Sequence, residues 1–392
     1  MENNFSHPLM ENNITKEDIS VLVEFLETNP RLTQSDNVIK FEKSWSDWLG
    51  VKHSVFVNSG SSANLLSMSA LKECYGEGGE VIVPPLTWVS DIASVIQTGF
   101  TPKFVDINFM NLAMDNDSII ENLNNETRCV FLTHIQGFNG LSDRLLTELS
   151  KRNIPLIEDV CESHGAVFKS KKLGSFGLMS NFSFYYAHHM STIEGGMICT
   201  NDDNLYEILR MLRSHGMTRE CDNDSYRRNL EEQYPDLNEK FIFTMPSYNV
   251  RNNEIGAVLG INQLKRLDEN VEKRNINYEI FLDNIDSKIY FTDFDLEGQS
   301  NYGLNFFLRE PDLKLRDEIE QIMTSHNIEY RRGSAGGGNQ LRQPYLKKFL
   351  GDSELQNYPN TDHIHHFGWY IGNYPNLERK KIEYICQILN NI

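Results

Sequence analysis

Two short apolar runs joined by a polar loop place the strongest constraint on how this chain folds. In the first run, residues 182–186, aromatic side chains recur at every second position, which is the spacing of a β-strand. The loop carries His188, His189 and a Glu-Gly-Gly sequence at residues 194–196, and a second apolar run follows at residues 197–199. Loops held by rigid strands often carry binding and catalytic groups, so we expect a functional site here.

A turn rich in small residues follows the predicted strand at residues 54–57. Residues 58–64 read Asn-Ser-Gly-Ser-Ser-Ala-Asn and lead into a predicted helix. The backbone N–H groups at such a helix start favour a phosphate. Gly60 and Ser61 are therefore candidate phosphate-binding residues. The alternative is that these residues only cap an ordinary helix.

Two further candidates follow predicted buried strands. Trp88 comes after the apolar run at residues 80–85, where its ring either joins the core or supports a flat ligand. Asp159 comes at the end of the strand predicted at residues 154–158 and begins the sequence Asp-Val-Cys-Glu-Ser-His-Gly. Its carboxylate is suited to a protonated ring nitrogen, and the alternative is that it caps a helix.

Together these motifs resemble the DegT/DnrJ/EryC sugar aminotransferase family of fold-type-I pyridoxal phosphate enzymes. In that family a lysine that binds the cofactor covalently lies six residues before the Glu of a Gly-Glu-Gly-Gly motif. Counting back six residues from Glu194 gives His188, so this lysine is absent. The chain therefore resembles the histidine-containing branch of the family, the sugar 3-dehydratases.

The resemblance implies a fold class and a cofactor. The fold is α/β, of the fold-type-I PLP-dependent transferase class. It has a large domain at residues 1–265, with a mixed, mostly parallel seven-stranded sheet, and a smaller C-terminal α/β domain at residues 266–392. The implied cofactor is pyridoxal 5'-phosphate (PLP), which alternates with pyridoxamine 5'-phosphate (PMP).

The same resemblance implies an activity. It is a lyase reaction, the PLP/PMP-dependent 3-dehydration of a GDP-4-keto-6-deoxy sugar, which is either a hexose or a heptose. Glutamate is the implied amino donor that regenerates PMP. The product would be a 3,6-dideoxysugar for a surface polysaccharide such as lipopolysaccharide or capsule.

The family motifs also assign roles to single residues. His188 is the implied catalytic residue, because an imidazole with an ordinary pKa near ~6.5 can take up a proton and return it. The implied cofactor-binding residues are Gly60, Ser61, Trp88, Asp159, Glu162, Ser183 and Asn249. Glu162 replaces the usual glutamine of the family, so facing the ring oxygen of the cofactor would require a proton or a bridging water.

Four arginines are candidate substrate-binding residues. Arg331 and Arg332 precede a Gly-rich segment at residues 333–338, which we expect to be a flexible loop. Two guanidinium groups at this position could bind the pyrophosphate of a sugar nucleotide. Arg219 and Arg251 complete the set.

The resemblance further implies a homodimer with shared active sites. In the family, the loop that corresponds to residues 248–251 crosses the dimer interface. Asn249 would then reach the cofactor phosphate of the partner, and Arg251 would act across the same interface. The alternative is that the two are a turn residue and a surface arginine.

Charge and composition disfavour other classes of partner. The formal net charge is −18 at pH 7, which argues against nucleic acid. No apolar run reaches the ~20 residues of a membrane helix, and the first residues lack the features of a signal peptide. We therefore expect no membrane partner and a cytoplasmic location. The six cysteines form no C-x-x-C pair, which is typical of free thiols in a reducing compartment, and we expect no metal.

Two other functions remain open from the sequence. One is the CDP-4-keto-6-deoxyglucose 3-dehydrase type, which needs an iron–sulfur cluster and a reductase partner. The scattered cysteines do not offer closely spaced cluster ligands. The other is a non-enzymatic relative that binds sugar nucleotides, against which the retention of Trp88, Asp159 and Ser183 argues.

Apolar periodicity predicts the order of helices and strands. The predicted helices are at residues 15–28, 36–49, 117–123, 203–214, 253–281, 313–325 and 376–390. The predicted strands include residues 80–85, 103–107, 129–133, 289–293 and 304–308. Residues 220–240 are acidic and polar, which predicts an exposed flap.

Overall fold

A seven-stranded sheet organises the first two thirds of the chain. The structure, a computed structural model, describes residues 5–350 and 357–392. The strands in these residues are β1 His53–Val57, β2 Glu80–Val83, β3 Thr101–Phe104, β4 Thr127–Thr133, β5 Leu156–Asp159, β6 Val167–Phe168, β7 Lys171–Lys172, β8 Met179–Ser183, β9 Gly196–Thr200, β10 Gly303–Phe307, β11 Tyr330–Arg332 and β12 Gly368–Gly372. The large sheet has the order β1-β9-β8-β5-β4-β2-β3, and only β9 is antiparallel to its neighbours. This sheet confirms the predicted fold class.

Helices cover both faces of this sheet. The α-helices in the described residues are α1 Lys16–Glu27, α2 Asp36–Leu49, α3 Gly60–Tyr75, α4 Val89–Gln97, α5 Asn116–Asn122, α6 Asp143–Arg152, α7 Asp203–Arg213, α8 Asp224–Glu231, α9 Glu254–Leu264, α10 Leu267–Asn284, α11 Leu313–Ser325, α12 Pro344–Leu350, α13 Pro359–Phe367 and α14 Arg379–Asn390. In β2, Val81 and Val83 face the core that contains α3, whereas Ile82 faces the core that contains α2. A strand buried on both faces is apolar at every position, which explains the continuous run of β2.

The C-terminal part contains a second, smaller sheet. β10, β12 and β11 form three antiparallel strands in that order, and α10, α11 and α14 share their apolar core. Residues from the first half of the chain, such as Leu86 and Phe138, join this core. The predicted domain boundary at residue 265 falls between α9 and α10. The division into two domains stays a prediction.

The first described residues pack against this smaller sheet. The backbone of His7 bonds with Asn327 O and Glu329 N at 2.9 Å each, and its Nε2 lies 2.9 Å from Gly372 O. A large-domain assignment that starts at residue 1 therefore leaves out the contacts that residues 7–9 make with the C-terminal part.

Local end signals explain why several helix predictions are confirmed. Thr15 and Asp18 form a capping box at the start of α1, whose helix was predicted at residues 15–28. Gly50 ends α2 in the left-handed conformation, with φ of 84°, which glycine adopts without steric cost. The prediction at residues 313–325 coincides with α11, and in the flap predicted at residues 220–240 Cys221 is the one buried residue.

The prediction of one continuous helix at residues 253–281 is wrong. The chain leaves helical geometry at Arg266, where φ is −116° and ψ is 5°, and this residue separates α9 from α10. Its guanidinium bonds with Asp18 Oδ2 at 2.5 Å and with Asn13 O at 3.0 Å. The break thus coincides with contacts to the distant N-terminal segment, which the local sequence does not reveal.

Two strand predictions also need correction. Residues 289–293 form no strand; only Tyr290 makes a single bridge, to Leu308. The strand expected over residues 182–186 ends at Ser183, because the chain turns at Tyr185. No helix in the described residues combines the length and the apolar character needed to cross a membrane.

Candidate active site

The carboxyl ends of the parallel strands meet along one edge of the large sheet. β1, β2, β4, β5 and β8 end there, and β9 begins there, since Gly196 pairs with both Val57 and Ser183. Open sheets of this kind bind ligands beyond the carboxyl ends of their strands. The loops at this edge carry most of the predicted site residues.

Gly60 opens α3 directly beyond β1. A Cβ atom at Gly60 would lie 2.6 Å from Cβ of Ser183 and 3.2 Å from Sγ of Cys161, so no larger residue fits without a shift. Ser59 caps the helix, and Ser61 is exposed at its first turn. Free N–H groups and hydroxyls therefore meet at one helix start, which is suited to a phosphate. The structure brings Gly60 and Ser183 into contact, with Ser61 next in α3, and their role in phosphate binding stays a prediction.

Asp159 ends β5 with a buried carboxylate. Oδ1 accepts the backbone N–H of Cys161 at 2.9 Å, and Oδ2 accepts Nδ2 of Asn64 at 3.0 Å. The chain continues in turns after Asp159 without starting a helix, so the helix-cap alternative is wrong. Both partners of the carboxylate are neutral, which leaves its charge available to a cationic group of a ligand.

Glu162 lies three residues further along the same loop. Its Oε2 accepts the backbone N–H of Gln136 at 3.0 Å. Burial, with a smaller contribution from the charge of Asp159, raises the pKa of Glu162 to about 7. At neutral pH this carboxyl therefore carries its proton about half of the time. Such a proton is what the carboxyl would need, in place of the glutamine of the family, to face the ring oxygen of the implied cofactor.

Glu162→Gln should remove one pH dependence of cofactor binding. If Glu162 faces the ring oxygen of the PLP cofactor that the resemblance implies, the affinity of the wild type for PLP, relative to that of the variant, should fall by up to ~10-fold per pH unit above about pH 7, because the carboxyl then loses the proton it would donate. PLP titrations of both proteins from about pH 6 to 9 measure this ratio and cancel the titration of PLP itself. A ratio that stays constant would contradict the assignment.

His188 lies in a turn beyond the end of β8. Its backbone N–H donates to Tyr185 O at 3.0 Å, and its Nδ1 is buried without a hydrogen-bond partner. The ring centroids of Tyr302 and His164 lie 5.6 Å and 5.9 Å from that of His188. The imidazole is therefore held among aromatic rings with a nitrogen left free for a ligand.

Burial, together with the positive charge of Arg274, lowers the pKa of His188 to about 3. The expectation of an ordinary pKa is therefore wrong for the free protein. Removal from water and a nearby cation both disfavour the imidazolium form. His188 is neutral at pH 7 and can accept a proton, and its protonated form gives that proton up readily.

Arg274 is an unusual buried cation beside His188. Among the described residues, Arg213 and Arg274 are the buried arginines, no lysine is buried, and Arg213 forms an ion pair. Arg274 donates instead to the carbonyls of Tyr302 at 2.9 Å and Asn373 at 2.5 Å. It lines a narrow cavity with His188 that has room for about one water molecule.

Contacts from distant segments hold the His188 loop in place. Nδ2 of Asn13 donates to His188 O at 3.1 Å. Nε2 of His189 lies 3.0 Å from Ser300 O, and His189 is buried. These contacts agree with the interpretation of His189 as the structural member of the pair.

Trp88 lies at the same edge, immediately before α4. Its side chain is 57% exposed, so the core alternative is wrong. The Gly-rich segment packs beside it: Gln340 N donates to Pro85 O at 2.8 Å, and a Cβ atom at Gly336 would lie 2.0 Å from Thr87 O. This segment is anchored to the end of β2, which corrects the expectation of a flexible loop.

Asn249 and Arg251 lie on an exposed segment beside the end of β1. Asn58 N donates to Val250 O at 3.0 Å, and Nε of Arg251 donates to Oδ1 of Asn249 at 3.1 Å. Arg219 is more remote, with its guanidinium 5.4 Å from the ring centroid of Phe241 in the exposed flap. The roles predicted for these residues stay predictions.

Arg331 and Arg332 lie on β11 rather than in the Gly-rich segment. Arg332 donates to Oε1 and Oε2 of Glu320 at 2.6 and 2.5 Å, so its guanidinium is already engaged. Arg331 pairs with Tyr370 across the small sheet, and it lines a depression with Thr324 that is separate from the cavity at His188. A pyrophosphate contact from these residues stays a prediction, and for Arg332 it would require the release of Glu320.

Sequence reasoning missed several residues that line or support the site. Asn64 and Asp91 contact each other and Asn64 contacts Asp159, whereas Asn13, Arg274 and Tyr302 surround His188. Thr87 lies two residues before α4 and Asp91 lies in its first turn, so this spacing of four residues brings the two side chains together. Nothing local distinguishes Arg274 from other charged residues of its helix. In the described part of the chain, no three His, Cys, Asp or Glu side chains are grouped to hold a metal ion.

Comparison with known sequences identifies the family of proteins to which this fold and the site at the sheet edge belong. The chain belongs to the DegT/DnrJ/EryC1/StrS aminotransferase family, whose profile matches residues 12–390.

Particular relatives are similar over most of their length. GDP-4-keto-6-deoxy-D-mannose 3-dehydratase of Escherichia coli O55:H7 is 32% identical over 362 residues, which are 91% of this chain and 92% of that protein. The solved structure of the E. coli enzyme with bound hydrated PLP has a TM-score of 0.88 and 30% identity, and the match covers 98% of this chain and 99% of that one. A structure of GDP-4-keto-6-deoxymannose-3-dehydratase with a trapped PLP-glutamate geminal diamine has a TM-score of 0.85 and 30% identity, with 98% and 100% covered.

Proposed function

We propose that this protein is a PLP/PMP-dependent 3-dehydratase of a GDP-4-keto-6-deoxy sugar. The observation that carries the proposal is His188, a neutral and partly unbonded imidazole six residues before Glu194, where the family resemblance implies a lysine in the aminotransferases. The names of the relatives support the GDP-linked substrate and glutamate as the amino donor. The product would enter 3,6-dideoxysugar biosynthesis for a surface polysaccharide.

The residues at the sheet edge fit the cofactor group by group. The start of α3 and Ser183 would hold its phosphate, as the tight approach at Gly60 permits. The buried carboxylate of Asp159 would bind the ring nitrogen, and Trp88 would cover one ring face. When bound, the cofactor supplies an electron sink for the substrate carbons.

His188 would move the proton of the reaction. Its neutral imidazole would accept a proton from the carbon next to the cofactor amine. Because burial and the charge of Arg274 disfavour its protonated form, the same group would then deliver the proton to the C3 hydroxyl, which leaves as water. An imidazole cannot bind the cofactor covalently as a lysine amine does, and this difference favours elimination over amino transfer.

Turnover of GDP-4-keto-6-deoxymannose with PLP and glutamate tests the proposal. We expect a product that has lost the C3 oxygen. An amino sugar as the product would identify an aminotransferase instead, and failure to bind PLP at all would favour a non-enzymatic sugar-nucleotide-binding protein. Stoichiometric iron and sulfide in the purified protein would point to the cluster-dependent dehydrase type.

The protein would act as a homodimer in the cytoplasm. Several large apolar side chains are exposed in the single chain, among them Trp88 at the site edge and Tyr185, Ile193, Phe241 and Phe243. Such side chains are typical of a surface that a partner covers. The six cysteines are free thiols, which agrees with a reducing compartment.

Asn249→Ala tests whether the dimer shares its sites. If Asn249 bonds with the cofactor phosphate of the partner, its loss should weaken PLP affinity about 10-fold, the scale of one hydrogen bond to a charged group. Equilibrium dialysis of PLP measures the effect. Asn229→Ala, in the exposed α8, is a matched control that should leave the affinity unchanged. Equal affinity of the Asn249 variant and the wild type would contradict the shared-site assignment.

A further inference from the structure

Two carboxyl groups lie against each other beneath the proposed cofactor ring. Asp91 is fully buried and Asp159 is 3% exposed. Nδ2 of Asn64 lies 2.7 Å from Oδ1 of Asp91 and 3.0 Å from Oδ2 of Asp159, so one amide group bridges the two acids. The pair is therefore held together by α3, α4 and the end of β5.

The hydrogen-bond donors around the two carboxyls can be identified. Its Oδ2 accepts the hydroxyl of Thr133 at 2.7 Å and that of Thr87 in a shorter contact. The Asn64 amide donates to both carboxyls, and the backbone N–H of Cys161 donates to Asp159. The donors that the described residues offer to these two carboxyls are thus all neutral, so no cation compensates two buried negative charges. A proton on one of the carboxyls would remove one of these charges.

Electrostatics favours the same arrangement. Two ionised carboxylates this close in a buried site repel strongly, so one of them takes up a proton. Burial, and then the charge of Asp159, raises the pKa of Asp91 well above its ordinary value. The other titratable groups that face Asp91 are Cys161 and Tyr345, whose pKa values are raised by burial and further by this carboxyl, so neither is a cation that would stabilise a second anion.

We propose that Asp91 is a positioning residue that stays a neutral carboxylic acid and bonds through its proton to Asp159. Asp159 would then be the single anion at the ring nitrogen, oriented from below by Asp91 and Asn64. This inference rests on the proposed function only in the role that it gives to Asp159. The protonation of Asp91 is a property of the protein without the cofactor.

Asp91→Asn tests the protonation, because an amide is uncharged like the neutral acid and can direct its NH2 to Asp159 and its oxygen to the threonine hydroxyls. The Asn64 amide would turn so that its unbonded Oδ1 accepts from the new NH2. A group whose pKa is raised by folding stabilises the protein at low pH and loses this contribution as pH rises. The cofactor-free variant should therefore unfold at a higher temperature than the wild type at pH 8, by at least ~2 °C, and this gain should vanish near pH 4. A gain that is equal at both pH values, or absent, would overturn the proposal.

Cofactor binding supplies the second readout. PLP affinity of Asp91→Asn should stay within ~3-fold of the wild type, whereas Asp91→Ala and Asp159→Asn should each lose at least ~10-fold. If Asp91→Asn binds PLP as poorly as Asp159→Asn, Asp91 acts as an anion and the proposal is wrong. If Asp159→Asn binds PLP normally, the assignment of Asp159 fails, and the positioning role fails with it.

Infrared spectroscopy detects the proton on the carboxyl directly. A protonated carboxylic acid has a carbonyl stretching band distinct from that of a carboxylate. We expect this band at pH 8 in cofactor-free Glu162→Gln, which lacks the second carboxyl with a raised pKa, and we expect its loss when Asp91→Asn is added. Its absence from Glu162→Gln alone would overturn the proposal.

Discussion

His188→Asn should lower the rate of C3 elimination at least ~100-fold, the scale of losing a general acid and base. A carboxamide fills much of the same space but cannot take up a proton at neutral pH. PLP affinity should change little, because the phosphate, ring-nitrogen and ring-face contacts come from other residues. Steady-state turnover and PLP titration on the same preparation measure the two effects.

His189→Asn is the matched control for this experiment. The two histidines are adjacent, but His189 is buried against Ser300, so its loss should lower the unfolding temperature and leave most of the turnover of the folded enzyme. If the His189 variant loses elimination and the His188 variant keeps it, the catalytic assignment belongs to the other imidazole. Retention of turnover in both variants would mean that neither histidine transfers the proton.

His188→Lys should convert a protein that binds PLP reversibly into one that holds it covalently. The new amine would occupy the position that lysine has in the aminotransferases of the family, and burial near Arg274 would help to keep it uncharged and reactive. We expect an absorbance band that survives gel filtration and, after borohydride reduction, a cofactor-modified peptide containing residue 188. Elimination should fall, because the amine is consumed.

Tyr185→Lys provides the comparison for that experiment. Tyr185 is 49% exposed and lies three residues before His188, so a lysine there tests whether any nearby amine captures PLP. Equal modification of both variants would mean that His188 holds no special position relative to the cofactor. Modification of the His188 variant alone would support the geometry proposed for the site.

The parts of the site that depend on local sequence were predictable. Gly60, Ser183 and Asp159 each stand at a strand end, and parallel strands bring their carboxyl ends to one edge, so their convergence follows from strand order. The helices with a capping box or a terminal glycine were predicted closely for the same reason, because these signals act within a few residues.

Features that depend on distant partners were not predictable. No glycine or proline marks the break at Arg266, whose guanidinium contacts Asp18 across the fold. Arg274 becomes important only because Tyr302 and His188 come to lie beside it. Asp91 likewise has its proposed positioning role only because Asp159, which is 68 residues away in the sequence, lies beside it in the fold.

The close packing of Gly336 on Thr87 ties two distant parts of the protein to each other. Gly336 has φ of 54°, and any side chain there would collide with the Thr87 carbonyl, one residue before Trp88 and four before Asp91. Substitutions in the Gly-rich segment are therefore restricted by the residues around Thr87, which lie next to the proposed supports of the cofactor ring. A relative that lengthened this segment to accept a bulkier sugar would have to change those residues as well.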